Sequence, residues 1–389
     1  MKKVIVRGPA LSRSGYGEHT RFLLRSLKNK KDLDLYLLNT PWGATSWLNE
    51  DTEEREWIDS LLLKTLESGK DARFDLSLQV TIPNEWRRMA DKNIGVTAGI
   101  ETNKISDSWL QSSMMVDKII VPSEHSKQGF LNNKREVSSP DGEKTIELSC
   151  QTPIDVVSFP FRDVEPENLN LNLVTSFNFL TVAQISPRKN IEASLLAFLE
   201  EFQNEEDVGY VIKVNIKNNC LIDRRHTESS IKNLLDSYPD RKCKVYVLHG
   251  NMSDEEIAGL YTDNSIHGYV STSHGEGFGL PIFESCAYGL PVIAPNWSGY
   301  ADFTNNQILE VGYELREVQD QAIWEGVIEK GSEWCYVNLA DVRSQMRELY
   351  NNQETHKETA NKLKESIRKK YSAKQQNKKM LKSIKEILK

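Results

Sequence analysis

The chain has 389 residues, of which 39% are hydrophobic and 27% charged, with a formal net charge of -7. This balance argues against a disordered chain, and no apolar run is long enough to span a membrane. The five cysteines are scattered and form no CxxC pair, which argues against a zinc site or a disulfide framework and favours a reducing, cytoplasmic setting. The length allows two or three domains.

The first predicted element is a short β-branched strand at residues 4–6, which leads into a loop with Gly15 and Gly17 and then into a helix. Only the short apolar run VIV precedes Arg7, so this start predicts a strand and not a signal peptide. A strand, a glycine loop and a helix in this order can hold a phosphate, although the same residues fit a tight turn. The loop lacks the GxGxxG pattern, which argues against a dinucleotide site.

Strands and helices alternate through the rest of the first half, as they do in α/β proteins. Glu101 and Thr102 follow a predicted strand, at the carboxyl edge where α/β sheets bind ligands. Asp32 and Asp34 begin another strand and are expected to be solvated rather than to bind a metal. The predicted strands are 35–38, 74–82, 93–100, 118–121 and 154–161; the predicted helices are 52–66, 106–115 and one from Ser123, and 135–149 is predicted as a loop or hairpin.

A change in composition at residues 163–170, which are acidic and contain proline, predicts a domain boundary. The second half begins with a strand at 179–182, followed by Arg188, Lys189 and Asn190, and Asn190 is expected to cap the next helix. Two cations at the carboxyl end of a strand suit a diphosphate leaving group, whose negative charge grows as its bond breaks. The alternative is a pair of solvated surface cations.

Two further strands are predicted at residues 210–216 and 245–248. Asp223 and the polar helix between these strands are expected at the surface. A loop with Asn251 follows the second strand, and Ser253 is expected to cap a helix whose first turn is acidic.

Residues 271–293, STSHGEGFGLPIFESCAYGLPVI, carry the most informative pattern in the chain. They predict a loop, a helix and a strand, with Pro281 suited to the first helical turn. Glycines let backbone N–H groups approach a ligand, and the N-terminus of a helix favours an anion. Glu276 in the loop and Glu284 in the helix bracket this position, which suits a ligand with a central phosphate and hydroxyls at both ends. The alternative is a buried strand–helix joint with two solvated acids.

Residues 353–389 carry 12 Lys and Arg against four acids. The tail is therefore +8, and subtraction from -7 leaves -15 for the rest of the chain. Its basic outer face is either solvated or a contact for a membrane surface or a nucleic acid. The apolar residues of the tail recur at helical spacing: Leu363, Ile367, Tyr371, Met380, Ile384 and Leu388.

The run from His274 to Pro281, with Glu284 eight positions after Glu276 and then Gly289-Leu-Pro-Val, resembles the two-glutamate signature of retaining glycosyltransferases with the GT-B fold. It is similar to the group 1 glycosyl transferases, also called family 4. The resemblance covers most of the chain and is strongest at 181–200 and 266–302. It implies two Rossmann-like domains facing each other across a cleft. The expected bounds are 1–162 for the acceptor domain and 163–364 for the donor domain, with a C-terminal helix at 365–389 that packs back on the first.

The resemblance also implies the activity, which is transfer of a sugar from a UDP- or GDP-sugar, with retention of anomeric configuration and without a metal ion. Lys189, with Arg188, would neutralise the diphosphate. Glu276 would bind sugar hydroxyls and offset positive charge at the anomeric carbon, and Glu284 would bind the ribose hydroxyls. The family's arginine follows a glycine directly after the strand, where this chain has Gln184, so Arg188 either replaces that arginine or does not.

Further residues are implied to contact the two substrates. On the donor side these are Gly15, Gly17, Asn251, Gly277, Phe278, Gly279 and Leu280; on the acceptor side they are Tyr16, Glu101 and Thr102.

Two other functions stay open. A GT-B-shaped nucleotide-sugar epimerase would release or isomerise the sugar without an acceptor. A non-catalytic subunit would only bind the nucleotide sugar; the intact set of Glu276, Glu284 and Lys189 argues against it, whereas Gln184 keeps it open. The acceptor also stays open between a lipid-linked glycan, another glycan, a small molecule, a protein and a modified DNA base.

Overall fold

The computed structural model describes residues 1–69, 71–138 and 145–388. The described strands are β1 (Lys2–Gly8), β2 (Leu33–Asn39), β3 (Leu76–Val80), β4 (Lys92–Val96), β5 (Lys118–Val121), β6 (Lys134–Ser138), β7 (Thr145–Ser149), β8 (Ile154–Val156), β9 (Phe177–Gln184), β10 (Val208–Asn215), β11 (Lys244–His249), β12 (Ile266–Val270), β13 (Val292–Pro295), β14 (Leu309–Val311), β15 (Tyr313–Glu317) and β16 (Glu333–Val337). The described α-helices are α1 (Gly15–Leu27), α2 (Glu53–Glu67), α3 (Asp107–Ser113), α4 (Glu124–Leu131), α5 (Ile191–Phe202), α6 (Leu221–Leu235), α7 (Asp254–Thr262), α8 (Leu280–Tyr288), α9 (Ala301–Thr304), α10 (Leu339–Asn351), α11 (Gln353–Lys370) and α12 (Ala373–Leu388).

The chain divides into two compact units. The first contains Met1–Pro160, Val318–Ser332 and Ala373–Lys389, and the second contains Phe161–Glu317 and Glu333–Ser372. The first unit is built on a parallel six-stranded sheet in the order β2-β1-β3-β4-β5-β8. Its strands are short and apolar because helices connect parallel strands and cover the faces of the sheet.

The second unit repeats this design with a parallel sheet in the order β11-β10-β9-β12-β13-β14. Phe179, Phe198 and Tyr210 lie fully buried in its core. The strand order reverses beside β9, the first strand of the unit, so the loops after β9 and β12 emerge side by side at the carboxyl edge. In open α/β sheets this switch point is where ligands bind. The prediction of two Rossmann-like domains is confirmed.

The basic tail folds as two helices, α11 and α12, which are separated at Tyr371 and Ser372. The break occurs where the backbone N–H of Phe161 donates to the Tyr371 carbonyl, 2.8 Å away. Met380 and Ile384 of α12 are buried in the core of the first unit, so a C-terminal helix packs back on that unit, as predicted. Among the described residues, no helix is long and apolar enough to cross a membrane.

Strands β15 and β16 form an antiparallel hairpin after β14. The sequence pattern did not indicate where the segment between these two strands would pack. The domain prediction placed all of 163–364 in one domain, whereas Val318–Ser332 belongs to the first unit. The Gly326 carbonyl accepts hydrogen bonds from the Ser106 and Ser108 hydroxyls, and Val327 is buried in that unit's core. The residues that this segment contacts are distant from it in sequence, so the hydrophobic periodicity of the segment could not predict these contacts.

Several predicted strands are shorter in the structure. The strand predicted at 154–161 ends at Val156, ahead of Pro160, which has no N–H to donate to a sheet. The strand predicted at 93–100 ends at Val96. The polar segment at 135–149 contains the antiparallel hairpin β6–β7, whose residues 139–144 lie outside the described part of the chain.

Lys118 joins α12 to the sheet of the first unit. Its side chain is only 5% exposed, and its Nζ lies 2.8 Å from Asp155 Oδ2 and 2.6 Å from Glu386 Oε2. The Ser383 hydroxyl donates to the same Asp155 oxygen at 2.6 Å. Burial alone would lower the pKa of Lys118, but hydrogen bonds to the two carboxylates outweigh it and raise the pKa. The cation therefore stays charged and links β5, β8 and α12.

Lys118→Ala is expected to destabilise the first unit by about 1–3 kcal/mol, because two carboxylates lose their shared partner. It should lower the apparent melting temperature and speed hydrogen exchange in α12. The matched control is Lys92→Ala on the neighbouring strand, where the lysine is 52% exposed and 3.7 Å from Asp117. Equal effects of the two variants would contradict a special role for Lys118.

Candidate functional site

Three loops are joined at the carboxyl edge of the second sheet: residues 185–190, 271–279 and 296–300. The His274 N–H donates to the Arg188 carbonyl at 2.8 Å, and the Gly299 N–H donates to the Glu276 carbonyl at 2.8 Å. The Thr272 hydroxyl donates to the Asn190 carbonyl at 2.7 Å. These bonds hold the loops in a defined arrangement before any ligand arrives.

The centre of this arrangement is Glu276, which is 7% exposed. Its carboxylate lies 2.5 Å from Lys189 Nζ through Oε1 and 3.0 Å from Arg188 through Oε2. Arg188 also donates to the Gly275 carbonyl at 2.7 Å. The structure therefore brings together the three residues predicted as catalytic. Gln184 instead turns its amide to the Ile216 carbonyl.

The charge of Glu276 follows from these neighbours. Burial alone would raise the pKa of Glu276, but Arg188 and Lys189 outweigh it and lower the pKa to about 2. The carboxylate is therefore ionised throughout the neutral range, and the two cations beside it, Arg188 and Lys189, keep 23% and 15% of their side chains exposed.

The loop ends at the N-terminus of α8, where an anion is favoured by the helix dipole and by free N–H groups. Gly279 has φ +87, a left-handed conformation that favours glycine, and it directly precedes Leu280 and Pro281 in the first turn. The predicted loop–helix geometry is confirmed, and Pro281 occupies the first turn at no cost in hydrogen bonding.

Glu284 lies one turn into α8, and Tyr261 of α7 donates its hydroxyl to Glu284 Oε2 at 3.3 Å. Tyr261 is buried, which together with Glu284 raises its pKa well above the ordinary value, so it remains a hydrogen-bond donor. The tyrosine thus restrains the direction of the Glu284 carboxylate. Tyr261 could not be identified from the sequence pattern, since its partner lies on another helix.

Ser298 was also missed. It is 4% exposed and has φ +71, in the left-handed region that disfavours residues other than glycine. Its hydroxyl accepts a hydrogen bond from the Glu276 N–H at 3.0 Å. A Cβ on the adjacent Gly299 would come within 2.1 Å of the Gly277 carbonyl oxygen, so the two loops touch backbone to backbone. The turn-rich Asn-Trp-Ser-Gly segment was the available signal.

His274 anchors the loop at residues 271–279 to the β15–β16 hairpin. Its ring stacks on Trp334 with centroids 4.7 Å apart, and its Nδ1 lies 2.5 Å from the Cys335 carbonyl. Burial lowers the pKa of His274. This histidine is therefore a neutral group that positions the loop.

Two predicted donor residues have contrasting surroundings. The Phe278 side chain is 3% exposed and packs on Phe283 and Phe303, with centroids 5.0 and 5.2 Å away, so the ring belongs to the core. Asn251 is exposed in the loop between β11 and α7. The predicted cap at Ser253 is confirmed, with the reciprocal bond to Glu256.

The expectation that Asp223 is solvated was wrong. Asp223 is 7% exposed and accepts hydrogen bonds from the Ile216 and Lys217 N–H groups at 3.0 and 2.8 Å. Its Oδ2 also lies 2.8 Å from His249 Nε2. The carboxylate joins the loop after β10 to the end of β11, and the polar composition of this region gave no sign of the contact.

Asn190 is the N-cap residue of α5, but it makes no side-chain cap and donates instead to the Thr272 carbonyl.

Gly15 and Gly17, which were predicted in a loop, lie instead in the first turn of α1, after the N-cap Ser14. A Cβ on Gly17 would lie 2.0 Å from the Ser12 carbonyl oxygen, so close packing requires glycine there. A Cβ on Gly15 would meet nothing within 4 Å. Between them, Tyr16 shares a 2.7 Å hydrogen bond with Thr97 and packs on the Trp42 ring.

Two acceptor-side predictions fall in one turn of the first unit. Glu101 is partly exposed, whereas Thr102 is fully buried. The Thr102 hydroxyl donates to the Lys104 carbonyl at 2.8 Å, so it stabilises this turn. Within the described residues, no group of three or more His, Cys, Asp or Glu side chains is placed to hold a metal ion.

Residues 170–330 match the family model described as Glycosyl transferases group 1, and this segment contains Arg188, Lys189, Glu276 and Glu284. A segment of 116 residues is 33% identical to the serotype-specific mannosyltransferase WbdA of Escherichia coli, covering 30% of this chain and 13% of that protein. The chain thus spans only a small part of the curated relative that it matches.

Solved structures show the same fold over the full length. Sucrose-phosphate synthase from Thermosynechococcus elongatus superposes with a TM-score of 0.65 at 13% identity, covering 100% of this chain and 99% of that one. Anabaena Alr3699/HepE in complex with UDP-glucose superposes with a TM-score of 0.63 at 11% identity, covering 99% and 100%. At these identities the likeness shows the fold alone, which is GT-B.

Glu276→Gln is expected to cost the second unit about 3 kcal/mol above pH ~5, because the lowered pKa of Glu276 is a stability contribution of the ionised form. A lowered pKa gives stability that is present above the unfolded-state pKa and lost as the pH falls. The difference in melting temperature between wild type and variant should therefore shrink as the pH falls towards the lowered pKa of Glu276, about 2. The exposed Glu192→Gln in α5 is the control and should show a small difference at every pH. A difference in melting temperature between wild type and Glu276→Gln that stays constant with pH would contradict an ionised Glu276 paired with Lys189 and Arg188.

Proposed function

We propose that this chain, a GT-B protein whose residues 170–330 match the Glycosyl transferases group 1 family model, transfers a sugar from a nucleotide-diphosphate sugar to an acceptor with retention of anomeric configuration. The observation that carries the proposal is the buried Glu276 carboxylate with Lys189 and Arg188 at 2.5 and 3.0 Å, beside the start of α8. The domain match narrows the chemistry to sugar transfer.

The two cations serve the leaving group. When the bond between the anomeric carbon and the diphosphate oxygen breaks, its electron pair stays on the diphosphate, and cations already in place stabilise that charge without reorganisation. Lys189 and Arg188 are shared between Glu276 in the free protein and the diphosphate in the complex. The N–H groups of Gly279 and Leu280 at the start of α8 support the same anion.

The two glutamates hold the two ends of the donor. Glu276 accepts hydrogen bonds from sugar hydroxyls and offsets positive charge that develops at the anomeric carbon. Glu284, restrained by Tyr261, accepts hydrogen bonds from the ribose hydroxyls, for which an ionised carboxylate is well suited. With retention, the acceptor oxygen attacks from the face that the diphosphate leaves, and its proton passes to the departing phosphate oxygen.

A more specific donor and a binding region for the acceptor can also be proposed. Because part of the chain is similar to a mannosyltransferase, the first donor to test is GDP-mannose, a nucleotide-activated mannose. UDP-sugars follow. The reaction needs no metal ion, because Lys189 and Arg188 supply the positive charge. We propose that the acceptor binds the first unit near Tyr16 and Glu101, the residues implied on the acceptor side.

The test is nucleotide release from a panel of GDP-mannose, UDP-glucose, UDP-galactose and UDP-N-acetylglucosamine. One donor should be hydrolysed slowly, and Lys189→Ala should lower its turnover by about 100- to 1,000-fold, as for loss of one group that stabilises the transition state. Glu284→Gln should weaken donor binding by about 10- to 100-fold, since a charged hydrogen bond is lost.

The matched control is Lys232→Ala, because Lys232 is 71% exposed on α6 of the same unit. Full activity of Lys189→Ala, or equal effects of the two lysine variants, would contradict the proposal. Isomerised nucleotide sugar without an acceptor would show an epimerase. Binding of one donor without turnover in any acceptor mixture would show a non-catalytic subunit.

A further inference from the structure

Helix α12 carries a straight row of four lysines: Lys374, Lys378, Lys382 and Lys385. Their spacing of four, four and three residues places them on one side of the helix. All four are exposed, and with Lys30, Asn377, Leu381 and Glu386 they line a groove of about 660 Å³ on the first unit. We call these four residues the lysine row.

The opposite face of the helix is committed to the first unit. Met380 and Ile384 are buried in its core, and the Ser26 hydroxyl of α1 donates to Asn377 at 2.9 Å. The one acid lining the groove, Glu386, is 2.6 Å from the buried Lys118. The helix is therefore fixed in place, and its outward charge is carried by lysines.

The composition of the groove favours a surface of anionic headgroups over a nucleic acid. Its cations are all lysines, without the arginines that read bases or the aromatic rings on which bases stack. Lys374 and Lys385 are 11 positions apart, about 16 Å along a helix, so the row can meet several headgroups at once. The helix cannot insert, because its apolar face is already buried.

We propose that the lysine row docks this protein on membranes that contain anionic phospholipids, through charge alone. The attraction falls off within the Debye length, so it requires direct approach of α12 to the headgroups and weakens with salt. The proposal does not depend on the sugar chemistry, because no residue of the row belongs to the donor site.

The test is co-sedimentation of the full chain with vesicles of phosphatidylcholine alone, or with about one-third phosphatidylglycerol, at low salt. The chain should bind only the anionic vesicles and should be released at about 0.5 M salt. The variant Lys374→Gln/Lys378→Gln/Lys382→Gln/Lys385→Gln should lower the vesicle partition coefficient by on the order of a hundredfold or more, since each lysine contributes about fivefold.

The control variant changes four exposed lysines elsewhere, Lys92, Lys134, Lys232 and Lys242, to glutamine, so that net charge falls equally. It should keep most of the binding, and both variants should keep the wild-type melting temperature and nucleotide release. No binding to anionic vesicles, equal binding to neutral ones, or equal loss in both variants would overturn the proposal. Tighter binding to a DNA duplex than to the vesicles, lost in the lysine-row variant, would assign the row to nucleic acid and would also overturn it.

Discussion

The second unit depends on the compensation of one buried carboxylate by two cations. A buried carboxylate without partners takes up a proton or destabilises the fold, because water no longer solvates its charge. Glu276 avoids both outcomes because Lys189 and Arg188 lie 2.5 and 3.0 Å away, on a loop from a different strand. The same contact therefore holds the loops together and keeps two cations beside the start of α8.

The hydrogen bonds around the carboxylate explain why this charge is well positioned. The Glu276 backbone bonds to Ser298 through its N–H and to Gly299 through its carbonyl, and His274 is fixed between Arg188 and Cys335. Rigid supporting contacts of this kind lower the reorganisation that a reaction requires. The strained φ of Ser298 is a local cost that the neighbouring bonds offset.

Much of this could be predicted from sequence because it depends on local patterns. Alternating apolar strands and helices predicted the parallel sheets, and the glycines with Pro281 predicted the loop–helix joint between Glu276 and Glu284. Three features could not be predicted, because each depends on partners that are distant in sequence. They are the burial of Asp223, the left-handed backbone of Ser298 and the contact between Tyr261 and Glu284. The same holds for Val318–Ser332, most of which lies within the matched family segment although it belongs to the first unit.

The most direct test is calorimetric titration of wild type, Glu276→Gln and Lys189→Ala with GDP and UDP, without a sugar attached. If Glu276 and the diphosphate share the two cations, removing the glutamate charge should leave nucleoside diphosphate affinity unchanged or increase it, while Lys189→Ala should lower it by at least about tenfold. Glu276→Gln should still abolish turnover of the sugar donor. A loss of diphosphate affinity in Glu276→Gln as large as that in Lys189→Ala would contradict the account.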